Sequence, residues 1–370
     1  MLYLHIPFCH RKCTYCAFYS AVTSASKQPY VDALCRELAL RCGEQPHPLR
    51  TVYFGGGTPS ILSLDQLRQL VDTIARCFDL SRLQEATLEA NPEDLTPEYL
   101  RGLQELHFFN RLSIGVQSFF DDDLRLLNRR HSAQQSLRAV QAAAAAGFDN
   151  LSIDLIYGLP GQTLARWQAN LDQLANLPVS HLSAYALTVE EDTILHHQVA
   201  QGRVTPADEE EVLAHYRALL QWTQQAGFEQ YEISNFCRPG CRSRHNSRYW
   251  DRTPYLGVGA AAHSFSGNCR RWNVADIRQY AASAGDPPHE EEHLTPTDAY
   301  NELVMTSLRT VEGIDKERVE PPFLDHLSHA IARFVVAGLI LETPTHFRPT
   351  PAGLLQADGM AADLMATPSR

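Results

Sequence analysis

Apolar and polar positions follow two periods along this chain. Short apolar runs lie at 2–6, 51–54, 86–90, 111–116, 151–157 and 181–187, and they predict strands. Between them apolar residues recur every three to four positions. In 64–78 these are Leu64, Leu67, Leu70, Val71, Ile74, Ala75 and Phe78, one face of a helix. The same reading predicts helices over 29–41, 97–106, 121–127, 133–146, 163–177 and 207–226. Punctuation agrees: Ser63 is placed to cap, Thr96 precedes Pro97 at a first helical position, and Gly147 and Gly227 follow helix ends. Strand–helix units in series favour a parallel sheet, either doubly wound or curled into a barrel. The run Leu-Ser-Ile-Asp-Leu-Ile-Tyr at 151–157 lacks clean alternation, as expected of a strand covered on both faces. In barrels of this type chemistry collects at the C-terminal strand ends, and here those ends run into polar or glycine-rich sequence.

The pattern changes after about residue 228. Residues 228–266 are rich in aromatics, Gly and Arg, and 286–293 (Asp-Pro-Pro-His-Glu-Glu-Glu-His) reads as a solvated, charged linker. Helices at 295–309 and 323–336, a β-like return at 339–348 and a last helical stretch suggest a small winged-helix-like module. The expected division is therefore a barrel domain at 1–230, a connecting region at 231–290 and a C-terminal domain at 291–370.

Composition narrows the class. With 44% apolar and 20% charged residues the chain is not a disordered one. No run approaches the roughly 18 apolar residues that span a bilayer. Lys plus Arg number 32 against 43 Asp plus Glu, a net charge of −11, which argues against nucleic acid as a partner. The opening Met-Leu-Tyr-Leu-His-Ile-Pro lacks a signal-peptide pattern, so a cytoplasmic location is expected. In that setting nine cysteines, an odd number, point to metal or redox chemistry rather than a disulfide framework.

The strongest chemical signal is Cys9-His-Arg-Lys-Cys13-Thr-Tyr-Cys16, directly after the first strand. Three soft thiolates within eight residues suit zinc or an iron–sulfur cluster. No fourth ligand lies close by, so one coordination position stays open, as a reactive centre needs. Pro7 and the polar filling favour a loop over a helix with three buried cysteines. The run Tyr53-Phe-Gly55-Gly56-Gly57-Thr58-Pro59 follows the second strand, and consecutive glycines let backbone amides approach a ligand. Glu89 ends the third strand, Gln117 ends the fourth, Arg129 follows twelve residues later, and Asp154 sits inside the apolar fifth strand. A carboxylate there is costly unless it is paired or faces a lumen.

C-x3-C-x2-C with an aromatic before the last cysteine resembles the signature of the radical S-adenosylmethionine superfamily. The resemblance implies a 4Fe–4S cluster on Cys9, Cys13 and Cys16, with S-adenosylmethionine on the fourth iron. His-Ile-Pro-Phe-Cys, Gly-Gly-Gly-Thr-Pro, Gly-Val-Gln-Ser-Phe and Asp-Leu-Ile-Tyr-Gly-Leu-Pro-Gly together resemble the oxygen-independent coproporphyrinogen III oxidase-like family over essentially the whole chain. That family implies an α/β fold: a partial (β/α)6 TIM-like radical S-adenosylmethionine barrel, then a winged-helix-like module. It also implies that Tyr3, Gly56, Gly57, Thr58 and Glu89 line the cofactor. Tyr15, Gln117, Arg129 and Asp154 match residues near a second S-adenosylmethionine in the oxidase.

Two departures separate this chain from the oxidase pattern. Phe18 stands where the oxidase has a further cysteine, and only eight residues precede Cys9. Both favour the haem-chaperone branch, whose H-N-x-x-Y-W motif resembles His245-Asn-Ser-Arg-Tyr249-Trp250. This resemblance implies haem as a ligand and apo-haemoproteins as acceptors, with no electron donor indicated. Iron accepts a neutral imidazole and the macrocycle accepts flat aromatic contact, so His245, Tyr249 and Trp250 are the expected haem residues, with Arg244 and Arg248 near the propionates. Cys237, Cys241 and His245 are spaced like a metal site but lack a fourth ligand. Gly257-Val-Gly259-Ala-Ala-Ala262 mimics a dinucleotide fingerprint without the βαβ context it needs.

Overall fold

The structure is a computed structural model that describes residues 1–23 and 27–367. Its strands are β1 (Leu2–Ile6), β2 (Thr51–Gly56), β3 (Glu85–Ala90), β4 (Arg111–Gln117), β5 (Asn150–Tyr157), β6 (His181–Ala186), β7 (Glu229–Gln230), β8 (Asn235–Cys237), β9 (Leu256–Val258), β10 (His263–Phe265), β11 (Cys269–Asn273) and β12 (His289–His293). The main sheet runs β9-β1-β2-β3-β4-β5-β6-β8-β7. From β9 to β6 every pairing is parallel; β8 and β7 close the far edge antiparallel.

Strand order decides between the two architectures left open by the sequence. From β1 to β6 each strand lies beside its sequence neighbour, with no reversal. Right-handed crossovers that all step the same way put every helix on one face and leave the other as a lumen. The helices of these crossovers are α1 (Gln28–Arg41), α2 (Leu64–Cys77), α3 (Pro97–Glu105), α5 (Ala133–Ala145), α6 (Leu164–Ala175) and α8 (Glu209–Gln225), while the short α4 (Asp121–Leu126) and α7 (Ile194–Ala200) lie beside the loop after β1. Helix starts follow the predicted chemistry: Ser63, Ser132 and Asp208 each form a reciprocal capping box, and Thr96 and Thr163 cap by side chain. Burial marks the lumen. In strands buried almost throughout, Tyr3, Glu89, Gly115 and Asp154 stay partly accessible because they face it; Asn150, the first residue of β5, is partly accessible as well.

Helix α9 (Arg244–Trp250) sits across the opposite, N-terminal mouth. Its first amides, at Arg244 and His245, donate to the two carboxylate oxygens of Glu85, the first residue of β3, at 2.9 and 2.8 Å. A carboxylate at a helix start satisfies orphan donors and opposes the helix dipole.

The solvated linker expected at 286–293 is corrected. Its second half is β12, an exposed edge strand paired antiparallel with β11. Glu290, Glu291 and Glu292 lie opposite Trp272, Arg271 and Arg270. Opposite charges across a ladder stabilise a strand that hydropathy alone reads as loop. Helix α7 also went unpredicted; Leu195 at its start donates to the carbonyl of Thr14, tying it to the cysteine loop.

After α10 (Ile277–Ala282) the C-terminal part has its own core, built around Tyr300, Leu303, Val304, Leu327, Ile331, Phe347 and Leu364. It combines α11 (Pro296–Ser307), α12 (Pro321–Val336), a three-stranded sheet of Ile314–Asp315, His346–Pro349 and Ile340–Glu342, and two short closing helices. The helix–helix–hairpin order matches the expectation. In the barrel, Trp167 is fully buried, packs on Tyr157 and donates to the carbonyl of His215 at 2.9 Å. Trp167→Ala is expected to cost about 3–5 kcal/mol of unfolding free energy, measured by urea titration, through a large cavity and an orphaned carbonyl.

Candidate cofactor site and barrel lumen

The three early cysteines lie on a loop leaving the C-terminal end of β1. A two-residue parallel bridge, Phe8–Cys9 with Ala21–Val22, closes the loop at its base, and Ala21 N–H donates to the Pro7 carbonyl at 2.7 Å. Its middle is pinned to the turn after α4. Thr14 donates from its amide to Leu127 and from its hydroxyl to Leu126, and Asn128 donates to the Lys12 carbonyl at 2.8 Å. All three thiols are free. Burial pushes the Cys9 and Cys16 thiols up, and each also feels Cys13. Thiols so raised ionise only when a cation is there to receive them.

A chain of side chains joins two of these sulfurs across three strand ends. The Thr58 hydroxyl donates to Cys9 Sγ at 3.6 Å, and Asn91 Nδ2 donates to Thr58 Oγ1 at 3.3 Å. Arg129 donates to Asn91 Oδ1 at 2.6 Å, to the Gly115 carbonyl at 2.7 Å and to Cys13 Sγ at 3.5 Å. Burial alone would lower the Arg129 pKa, but the Tyr15 phenol and the Cys13 thiol beside it drive it up, so the guanidinium stays charged. Asn91 is absent from the sequence reading; its position after the Glu89-Ala90 strand end is the signal that could have found it.

The glycine run bends under β1. Gly56 has φ +111°, and a Cβ there would stand 2.7 Å from the His5 ring. Gly57 donates to the Ile6 carbonyl, and a Cβ there would meet the Phe8 backbone at 2.8 Å. Larger residues would push the loop away from the cysteine strand. Gly56 N–H donates to Glu89 Oε2 at 3.1 Å, while the Tyr53 hydroxyl donates to Oε1 at 2.7 Å. Burial raises the Glu89 pKa to about 7 despite the Tyr53 hydrogen bond, and the Asp154 charge adds to the rise. Asp154 is pushed up to about 6 by burial, partly offset by Ser183 and by the charges of Arg111 and Arg129.

Gln117 occupies the positive-φ region at 68°, beside a register shift between Gly115 and Gln117 that ends β4. Tyr3 stacks on Tyr53, and its hydroxyl lies 3.1 Å from His5 Nδ1. Tyr15 packs with Leu127, Ile156 and Leu159. Thus Tyr3, Tyr15, Gly56, Gly57, Thr58, Glu89, Gln117, Arg129 and Asp154 converge at the lumen mouth over the cysteine loop. Sequence reading missed Arg111, a buried cation whose Nε and one terminal nitrogen have no hydrogen-bond partner. It also missed Tyr185, an exposed phenol at the end of β6. An isolated Arg at a strand start carries no sequence signal.

The run from His245 to Trp250 lies elsewhere. His245 is 0% exposed and stacks on Tyr53 with ring centroids 5.0 Å apart. Its Nδ1 is 2.9 Å from Thr51 Oγ1 and its Nε2 is 3.0 Å from the Tyr249 hydroxyl. Burial, then the cationic N-terminus and Arg111, lower its pKa to about 3, so the ring is neutral. The ring is neutral, as an axial ligand must be, and in this conformation both of its nitrogens are hydrogen-bonded inside the barrel. Tyr249 and Trp250 remain half-buried. Cys237 lies buried in β8, and His245 is turned to Thr51 and Tyr249, so the 237–241–245 spacing does not build a ligand set.

The donor set fits a cluster. Among the described residues, the early thiols are not among the three-ligand groups whose donors lie within 4.8 Å of one another. They are spread more widely than a mononuclear ion requires, which suits thiolates that each bind a different iron.

A sequentially wound parallel barrel with this loop over its C-terminal mouth defines the class. The Radical SAM superfamily matches residues 3–174, and the HemN C-terminal domain matches residues 294–355. The chain is 37% identical to "Heme chaperone HemW" of Bacillus subtilis (strain 168), over 85% of each chain. It is 36% identical to the protein of that name from Mycobacterium tuberculosis (strain ATCC 25618 / H37Rv), covering 88% of this chain and 87% of the other. The solved coproporphyrinogen III oxidase (HemN) of Escherichia coli superposes with a TM-score of 0.84 at 25% identity, over 98% of this chain and 89% of that one. The chain belongs to the family of the proteins named heme chaperone HemW. Among the described residues no helix is long and apolar enough to cross a membrane.

Glu89 sets a pH dependence on the cluster-free protein. Its folded pKa of about 7 exceeds the ordinary 4.5, so stability falls as pH rises from about 4.5 to 7. Glu89→Gln is expected to flatten that slope, by on the order of 3 kcal/mol at most, leaving a smaller one from Asp154. Denaturant titrations at pH 5.5 and 8 check this; parallel slopes in the two proteins would assign the dependence elsewhere.

Proposed function

We propose that this chain is a haem chaperone that holds a 4Fe–4S cluster on Cys9, Cys13 and Cys16, binds S-adenosylmethionine at the lumen mouth and passes haem to apo-haemoproteins. The observation that carries the cofactor half is the joined pair of sulfurs, with Thr58, Asn91 and Arg129 linking Cys9 to Cys13. When bound, the cluster and S-adenosylmethionine supply one-electron reductive chemistry. The chain's own residues hold and orient. Thr58 and Arg129 donate to the sulfurs, and Gly56 leaves room for backbone approach. Glu89 offers a carboxylate to a cationic ligand, and binding of that cation would favour its ionised form.

The haem half rests on membership in the family and on α9. Tyr249 touches His245 on one side and lines a cavity of about 170 Å³ on the other. Arg252, Tyr255, His263, Phe265 and Arg270 line the same cavity. Flat rings suit a macrocycle and guanidiniums suit propionates. A drug-sized ligand fills roughly 300–1,000 Å³, so a porphyrin enters only as this cavity widens. Iron ligation by His245 therefore requires α9 to lift from Thr51 and Tyr53.

Haem titration of wild type, His245→Ala and Tyr249→Phe, followed in the Soret band, tests this reading. The expected result for His245→Ala is at least tenfold weaker binding with a shifted band. Equal spectra and affinity would remove α9 from the haem site. The oxidase reading is tested separately with coproporphyrinogen III, S-adenosylmethionine and a strong reductant under anaerobic conditions. No vinyl product is expected; its appearance would make the chain a decarboxylase.

A further inference from the structure

A second group of ligand-type side chains lies far along the chain from the cysteine loop, on the β11–β12 hairpin. Cys269 starts β11 and stands directly opposite His293, the last residue of β12. Glu291 precedes His293 by two positions and so projects from the same face of the strand. The sulfur, an imidazole nitrogen and a carboxylate oxygen all lie within 4.8 Å of one another. Among the described residues, this is the one such group of three.

Nothing else in the structure accounts for that convergence. Arg271 lies directly opposite Glu291 on the same face, yet its ion pair is with Asp286 at 3.5 Å. Glu291 and His293 make no side-chain hydrogen bond, ion pair or ring contact among the described residues. Cys269 is a free thiol, half-buried, with one long contact to the Arg270 carbonyl at 3.5 Å. Opposite charges pair on the other face as well, where Arg270 meets Glu302 of α11 at 2.7 Å.

We propose that Cys269, Glu291 and His293 form a zinc site, distinct from the cluster, that clasps β11 to β12 at the approach to the C-terminal module. A sulfur–nitrogen–oxygen donor set selects a borderline ion over calcium or magnesium, which take oxygen alone. Zinc bonds of about 2.0–2.3 Å place tetrahedral ligands roughly 3.5 Å apart. Side-chain rotation on an exposed strand closes the remaining gap. Thiolate and carboxylate carry two negative charges and the neutral imidazole none, so the dication is balanced. Three protein ligands leave a fourth position for water, a geometry that allows zinc to exchange. Residue 293 is followed directly by Leu294 and the Thr295 cap of α11. An ion here therefore fixes the strand from which the C-terminal module departs, and any ligand that binds the folded hairpin alone stabilises it.

The test uses the cluster-loaded protein, with iron counted before and after. Equilibrium dialysis against chelator-buffered zinc is expected to give one tightly held zinc in wild type with no loss of iron. Cys269→Ser and His293→Ala should each weaken it at least tenfold, and Glu291→Ala less. X-ray absorption at the zinc edge should report one sulfur among nitrogen and oxygen neighbours. The proposal is overturned if wild type takes up no zinc at micromolar free ion, if the variants hold it as tightly, or if zinc enters only as iron leaves. Glu291 and His293 are exposed and Cys269 is half-buried, outside both hydrophobic cores. An unchanged iron count and circular dichroism spectrum show that lost zinc reflects lost ligands.

Discussion

Charge inside the barrel is the constraint on which the rest depends. Two carboxylates, Glu89 and Asp154, share the lumen's influence with two guanidiniums, Arg111 and Arg129. A buried charge is tolerated only when paired or hydrogen-bonded, and here the pairing is loose. Burial still raises both carboxyls, to about 7 and about 6, and Arg111 keeps two nitrogens without partners. A lumen left half-satisfied in this way is built to receive a polar, charged ligand. Its strand ends supply the donors, and the cysteine loop covers the same mouth.

One ring connects the two ends of the barrel. Tyr53 donates to Glu89 at the cofactor end and stacks on His245 of the motif helix at the other. Beyond His245 the contacts run to Tyr249 and then Tyr255, whose rings meet edge-on at 4.9 Å. Anything that alters Glu89 therefore bears on the packing of α9 through a single side chain.

Likeness to the oxidase structure extends over 98% of this chain, both the barrel and the C-terminal part. Phe18 is 72% exposed on the cysteine loop, at the place where the oxidase pattern has a cysteine.

Much of this was legible from residue order. The two hydrophobic periods placed the barrel strands and most of its helices, and the spacing of Cys9, Cys13 and Cys16 marked the loop after β1 as the candidate site, because local pattern and local spacing are properties of the chain itself. Sequence also placed Glu89 and Gln117 at strand ends and Asp154 inside its strand. Tertiary structure alone decided the rest. Strand order made the sheet a barrel rather than a doubly wound layer. The antiparallel ladder with β11, which sets Glu291 and Glu292 opposite Arg271 and Arg270, turned an acidic run into β12. Folding brought Asn91 between Thr58 and Arg129, and Arg111 under Asp154. It also withdrew His245 from the surface, because its partners Thr51 and Tyr53 lie nearly two hundred residues away, and no local pattern reports contacts made at that distance.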